Sequence, residues 1–584
     1  MNLRTYLPVF LPATRQEMES LGWKKPDVIL VSGDTYIDTP YSGTAVIGRV
    51  LSDAGFRVGI IAQPDTDSGN DIAALGEPAL FWGVTSGSVD SMIANYTASG
   101  KRRKSDDMTP GGLNVRRPDR AVIFYANLIR RYFKNTCPIV LGGVEASLRR
   151  ISHYDERSDS LRRSILFDAK ADVLVYGMGE QSVVELAEKF RQKQDIRSIR
   201  GICYISREIP ESVPGFAQSD TELPSHADVC RDQQAFIHMF RIFYENSDPF
   251  TGARLFQKQD SRWLVQNPPQ FPLSPQELDR IYELPYTRDV HPLHKQKGQV
   301  KALDTVRFSL TTHRGCYGEC RFCAIAVHQG RHVVSRTKQS LIREALSFAK
   351  HPEFRGIISD VGGPTANMYG MECKRKTEKG ACTNKSCLFP EICKHLPVCH
   401  DMQIDLLRAL RNLPGVRRVF IGSGIRYDLI LSDRKSGTAY LEEILRHHVS
   451  GQLKIAPEHT EDSVLKYMGK PGRESLEAFL ALFDRLKGKI PEKLFLTYYL
   501  MAAHPGCTLE DMRKLRAFAL RTLRLLPEQV QIFTPSPSTW STLMYCTETD
   551  PFTGEKIFVE KKAGNRQKQK DTLSGGKSYG RTAA

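Results

Sequence analysis

Three cysteines in a C-x3-C-x2-C run constrain this chain more than any other feature. Cys316, Cys320 and Cys323 follow directly on the apolar run 306–312, in the stretch Thr312-His-Arg-Gly-Cys316-Tyr-Gly-Glu-Cys320-Arg-Phe-Cys323. Three thiolates at that spacing can wrap one corner of a cubane 4Fe-4S cluster, binding three irons and leaving the fourth open to a ligand. A zinc knuckle with a fourth ligand elsewhere is the alternative. A cluster loop at a strand end places the chemistry at one edge of a sheet.

Eight of the 13 cysteines fall between Cys316 and Cys399. Reducing compartments keep thiols free, so a disulfide framework is not expected. Cys137, Cys203, Cys230, Cys507 and Cys546 are scattered and read as small buried hydrophobes. Cys373, Cys382, Cys387, Cys393 and Cys399 lie among Lys374, Arg375, Lys376, Lys379 and Lys385 in a long insertion. That insertion reads as a second metal site, a further iron–sulfur cluster or a structural zinc, with free thiols on an ordered loop as the alternative.

The apolar pattern is that of an α/β protein. Strand runs at 27–33, 57–62, 79–83, 138–142 and 173–176 alternate with helical patterns at 44–54 and 119–133, which predicts a parallel sheet covered by helices. Ligands of such sheets bind at the strand C-termini, where Asp34, Asp38, Gly43 and Glu145 fall. Residues 201–303 read as an irregular, Pro-rich bridging segment with helices at 232–244 and 275–282. Six strands at 306–312, 356–361, 417–421, 452–456, 494–500 and 529–533 then alternate with helices at 339–348, 440–448, 475–486 and 509–523. That order fits a partial (β/α)6 barrel of the TIM type, short of the usual eight units. The expected division is 1–200, a bridge 201–303, a core 304–549 with the cysteine-rich insertion 366–400, and a tail 550–584.

Hydrophobic residues make up 41% and charged residues 25% of the 584, which excludes a wholly disordered or fibrous chain. No apolar run reaches the ~20 residues of a membrane span, and the start lacks a secretory h-region, so no membrane role and a cytoplasmic address are expected. The formal charge of +16 concentrates at 101–120 and 560–584. It admits RNA as a partner. The second stretch, poor in apolar residues, is expected to be disordered and removable without effect on the fold.

The triad, with Phe322 before its last cysteine, resembles the signature of the radical SAM superfamily. GDTYIDTPYSGTAVIGRVL, PGGLNVRRPDRA, GGVEASLRRISHYD, YGMGE, GGPTANMYG and SGIRYDL together resemble the YgiQ-type radical SAM proteins, over residues 26–549. The resemblance implies a Rossmann-like N-terminal domain related to cobalamin-binding modules, joined to a radical SAM barrel. It implies that the open iron chelates S-adenosylmethionine, that Gly362, Gly363 and Pro364 receive the methionyl amino group, and that Ser423 and Glu458 contribute polar contacts. Pro364 replaces an acidic residue commoner in the superfamily. Cys373, Cys382, Cys387 and Cys393 best match the family pattern for the second group. A reductant such as flavodoxin or ferredoxin is implied, and no particular substrate is. The N-terminal half carries no D-x-H-x-x-G run, which makes histidine-ligated cobalamin doubtful. His504 reads as a structural turn histidine. The other function class that the composition allows is a nucleic-acid-binding protein whose clusters are structural.

Overall fold

The computed structural model describes residues 9–574 apart from 212–215, 217–219, 384 and 528–529. Strand β1 (Val28–Ser32) is buried along its whole length, which is why it reads as a continuous apolar run. Its neighbours are β2 (Val58–Ala62) and β3 (Phe81–Thr85), followed across the sheet by β4 (Ile139–Leu141) and β5 (Val173–Val175), all parallel. Side chains alternate between two cores. Val28 and Leu30 pack with Leu51 and Leu186 on one face, while Ile29 and Val31 pack with Tyr125 and Leu128 on the other.

The expected irregular bridge is corrected. Residues 201–266 extend the same sheet through β6 (Ile202–Ser206), β7 (Thr221–Leu223), β8 (Leu255–Gln259) and β9 (Arg262–Gln266). Among the described residues the sheet has nine strands in the order β2-β1-β3-β4-β5-β6-β9-β8-β7, with the β8–β9 hairpin antiparallel. The misreading has a physical cause. Gln257, Gln259 and Gln266 are fully buried, the first two accepting the Ser152 and Ser164 amides and the third accepting from the Arg150 guanidinium, so strands β8 and β9 do not look apolar.

The second half builds the barrel from β10 (Ser309–Thr311), a strand split at Ser359 into β11 (Ile357–Ile358) and β12 (Asp360–Gly362), β13 (Arg418–Val419), β14 (Gln452–Glu458), β15 (Phe495–Ala502) and β16 (Val530–Ile532). β10 runs parallel to β12, β11 to β13, and β14 to β15 to β16. The single parallel bridge Ile425↔Ile455 joins the third unit to the fourth. Helices Lys338–Phe348, Gly437–His447 and Arg473–Lys487 fall close to their expected places, and Leu509–Phe518 continues to Leu523 as a π turn. Gln529, the expected first residue of the sixth strand, lies outside the described residues.

The expected disordered tail is also corrected. Ala563–Ser574 is a helix with Arg566, Gln569 and Leu573 buried. Gln569 holds the Ala503 amide at 2.9 Å and the Cys507 carbonyl at 3.1 Å, and Arg566 pairs with Glu156 at 2.7 Å. Few apolar residues are needed because the helix docks through backbone and charge contacts. Residues 575–584 of that stretch lie outside the described residues.

Candidate functional site

The loop after β10 opens with Gly315, at φ 79°, where an added Cβ would lie 1.8 Å from the His332 carbonyl oxygen. Only glycine fits. The next turn carries Gly318, whose added Cβ would stand 3.2 Å from Cys316 Sγ and 3.5 Å from Cys320 Sγ. A glycine there keeps the space between two thiols clear, and its amide donates to Cys316 Sγ at 3.3 Å. The loop is anchored by Tyr317, whose hydroxyl accepts from the Cys373 amide at 3.0 Å, and by buried Glu319, which pairs with Lys376 at 3.4 Å and Arg331 at 3.7 Å.

Cys316, Cys320 and Cys323 all line one cavity of about 950 Å³, at the C-terminal ends of the barrel strands. Arg426 faces them. Its guanidinium is fixed by Asp428 at 2.5 Å and donates to Cys320 Sγ at 3.6 Å, while its backbone is held on both sides by Asn367. Burial pushes the Cys323 thiol up to about 12, and the neighbouring sulfurs of Cys320 and Cys316 add to the rise. A bound cation reverses that balance, since coordination deprotonates a thiol outright. Three thiols lining one cavity, a glycine clearing the space between Cys316 and Cys320 and an arginine donating to Cys320 fit an iron–sulfur cluster by donor chemistry and by placement. The side chains are not drawn together in advance: among the described residues no three Cys, His, Asp or Glu groups are gathered as around a metal ion.

Of the residues expected to meet S-adenosylmethionine, Pro364 and Glu458 line this cavity. Glu458 ends β14 at φ 67°, with Lys470 Nζ 4.0 Å away. Burial raises its carboxyl pKa, against the pull of Lys470 and Arg426. Gly362, Gly363 and Ser423 fall instead on a second cavity of about 460 Å³, which meets the first at Pro364 and Ile325. The Ser423 hydroxyl donates to Asp360, which also accepts the Gly422 amide at 2.8 Å. His504 is buried with both ring nitrogens bonded, to Pro505 O at 2.8 Å and Ser541 Oγ at 2.7 Å.

The second cavity lies between the C-terminal ends of the N-terminal strands and the barrel. Gly43 lines it, but Asp34, Asp38 and Glu145 do not. Asp34 is paired with Arg117 at 2.7 Å, Asp38 with Arg49 at 2.5 Å, and Glu145 accepts the Ser91 and Val122 amides at 2.8 and 3.1 Å. These carboxylates hold loops together. In the insertion, Cys373, Cys387 and Cys393 share a small apolar cluster with Met368, Met371 and Leu388, while Cys399 sits apart with its sulfur 3.8 Å from Ser436 Oγ. Sequence reasoning missed Arg103 of the N-terminal half and Gln567 and Lys570 of the C-terminal helix, which also line the large cavity. Distance along the chain hides them, since no spacing rule links residues 103, 426 and 570.

Two family models match the chain in comparison with known proteins. Residues 10–309 match the family described as Radical SAM N-terminal, and residues 310–519 match the Radical SAM superfamily. A UPF0313 protein of Fusobacterium nucleatum is 54% identical over 97% of this chain and 98% of its own length. A UPF0313 protein of Thermotoga maritima is 47% identical over the same shares. Two solved structures are similar at TM-score 0.49. The radical S-adenosylmethionine methyltransferase TsrM of Kitasatospora setae, with cobalamin and a [4Fe-4S] cluster bound, is 15% identical, covering 89% of this chain and 78% of its own. The cobalamin-dependent S-adenosylmethionine radical enzyme OxsB, with aqua-cobalamin bound, is 13% identical, covering 93% and 58%. Among the described residues no helix is long and apolar enough to cross a membrane.

Proposed function

This chain belongs to the UPF0313 family of radical SAM proteins, and we propose that it holds a 4Fe-4S cluster on Cys316, Cys320 and Cys323 and cleaves S-adenosylmethionine reductively beside a substrate in the 950 Å³ cavity. It is a radical SAM enzyme of unassigned reaction. The observation that carries the reading is the meeting of the three thiols with Arg426, Glu458 and Pro364 on one cavity wall. When bound, the cluster supplies the one electron that splits the sulfonium into methionine and a 5′-deoxyadenosyl radical, chemistry no side chain can provide.

The protein's own groups position and insulate. Arg426, held by Asp428, donates toward Cys320 Sγ and offsets negative charge gathered on the thiolates. Glu458 offers a carboxylate to the methionyl ammonium, and Lys470, donating to the Ala456 carbonyl at 2.5 Å, keeps that strand end in place. Thr365 Oγ1, 3.5 Å from Cys316 Sγ, supplies a further polar contact. Leu500, Met501 and Ile532 give the cavity an apolar stretch that would keep bulk solvent away from the reacting groups.

The test is anaerobic reconstitution, reduction with dithionite, and assay of 5′-deoxyadenosine by mass spectrometry. Product in the wild type and none in Cys320→Ala supports the reading. A wild-type protein with a full cluster and no cleavage refutes it.

A further inference from the structure

The large cavity carries more positive charge than its own acids need, and the excess lies away from the cysteines. Glu319 is neutralised by Lys376 and Arg331, Asp428 by Arg426, and Glu458 faces Lys470. Two lining cations have no acidic partner among the described residues. Arg103 donates Nε to the carbonyls of Ile93 and Tyr96, at 3.3 and 3.0 Å, and forms no ion pair. Lys570, half-buried on the C-terminal helix, leaves its ammonium without a hydrogen-bond or ion-pair partner among the described residues.

The placement of Lys570 is built rather than incidental. Its helix packs against the sixth strand, the edge of the barrel opposite the strand that carries the triad loop. Arg566 and Gln569 lock the helix rotation from the buried side, and that rotation turns Gln567 and Lys570, one turn apart, toward the cavity. Gln531, Thr534 and Tyr499 line the same space with hydrogen-bonding groups. Lys570, half-buried, and Arg103, exposed, line a concave surface without an acidic partner among the described residues, and such cations focus a positive potential on whatever enters.

We propose that the substrate is a small molecule bearing an anionic group, phosphate or carboxylate, which Arg103 and Lys570 receive while its reacting carbon faces the cluster. The proposal rests on the radical reading above and names the substrate class of that site. A volume of about 950 Å³ is at the upper end for a ligand cavity and must also hold the cosubstrate, which favours a metabolite over a polymer.

The experiment uses the reconstituted full-length protein and a small-molecule extract from cells that lack it, grown in heavy water. The extract is separated by anion exchange, and each fraction is incubated with S-adenosylmethionine and dithionite in ordinary water. Hydrogen abstraction breaks a substrate C–D bond and forms the C5′–D bond, so deuterium in 5′-deoxyadenosine reports the true substrate. Label should come from the retained fraction. Phosphatase treatment that abolishes it identifies a phosphate, and treatment that spares it identifies a carboxylate. Lys570→Gln and Arg103→Gln should each lower the ratio of deuterated to total product about tenfold, with Lys570→Arg restoring it. Label from the unretained or the macromolecular fraction overturns the proposal, as does an unchanged ratio in both glutamine variants or label from no fraction while unlabelled product forms. Absence of all 5′-deoxyadenosine is instead a failure of the radical reading.

Discussion

The two cysteine groups differ in access. Burial raises the thiol pKa of Cys323 to about 12 and of Cys387 to about 11. Yet the sulfurs of the triad border open space, whereas Cys373 and Cys387 are packed against Tyr317, Met368 and Leu388. A thiol reserved for a cofactor with an exchangeable site needs room on one side, and a thiol that staples a loop does not. The groups are mechanically joined, because Tyr317 sits inside the triad loop and caps the Cys373 amide. The insertion therefore reads as a buttress for the loop in front of it.

The largest effect that could break this comparison is at the triad. Cys320→Ala should lower 5′-deoxyadenosine formation by more than about a thousandfold, because nothing in the protein replaces the cofactor's electron. Cys399→Ala, whose sulfur lies 3.8 Å from Ser436 Oγ and outside the cavity that the triad lines, should stay within about twofold of the wild type. Equal losses would mean that the groups act as one centre. A triple alanine variant at Cys316, Cys320 and Cys323 should still retain metal at Cys373, Cys382, Cys387 and Cys393. Elemental analysis that finds neither iron nor zinc would leave those thiols as packing alone.

The next effect is on the clamp between the insertion and the rest. Asp248 accepts from His332 Nε2 at 2.6 Å, from the Ala381 amide at 2.9 Å and from the Phe250 amide at 2.9 Å. Burial alone would raise its carboxyl pKa, but the hydrogen bond and charge of His332 outweigh burial and hold it well below the usual range. Asp248→Asn should cost about 3–5 kcal/mol, read by thermal or denaturant unfolding. The sign in acid follows. A depressed folded pKa gives stability that is complete above the unfolded value of 3.8 and lost as pH falls through the folded one. Buried His153 and His459, pushed down by burial to about 4, and His504, to about 3, add a separate limb. Their unfolded forms take protons first, so stability declines as pH falls from 6.5 toward 4. The asparagine variant should lose the lower limb and keep the upper one in an acid titration followed by circular dichroism.

A smaller loss is expected from the C-terminal helix. Leu573 is fully buried, and Leu573→Ala should destabilise the protein by about 2–5 kcal/mol. Truncation before Ala563 should also uncover the Cys507 carbonyl and open the cavity wall that bears Lys570. Unchanged stability in the truncated protein would restore the expectation that this stretch is dispensable.

What was legible in the chain follows from the range of the interactions. Strands β1 to β5 and the barrel units are written in local apolar runs, and the triad in a spacing of seven residues and one glycine turn. Strands β8 and β9 were hidden by their buried glutamines, and the C-terminal helix by its polarity, since its docking uses Arg566 and Gln569 rather than an apolar stripe. The loop carboxylates misled in the opposite direction. Asp34, Asp38 and Glu145 stand at strand ends where ligands bind, but Arg117, Arg49 and backbone amides far along the chain consume them. A sequence shows the donor and the acceptor without showing that they meet.

The smallest expected effect is none at all, and it concerns the second cavity. Its volume of about 460 Å³ suits a molecule of ordinary ligand size, well short of a corrinoid with its nucleotide tail. Its histidines are His313 and His328, both from barrel-side segments. His313 shares Nδ1 with Thr312 Oγ1 at 2.8 Å, and His328 shares Nδ1 with Ser147 Oγ at 3.1 Å. The strand-end loops of the N-terminal sheet contribute glycines, Tyr41, Thr44, Thr85, Ser88, Met178 and Glu180 to the lining and no histidine among the described residues, so this side would offer cobalt no imidazole. Hydroxocobalamin or methylcobalamin added to anaerobically purified protein should therefore elute apart from it on gel filtration, with an unshifted cobalt spectrum. Co-elution at one equivalent would show that the cavity opens to admit a corrinoid, and would turn the comparison between the two halves into a shared active site.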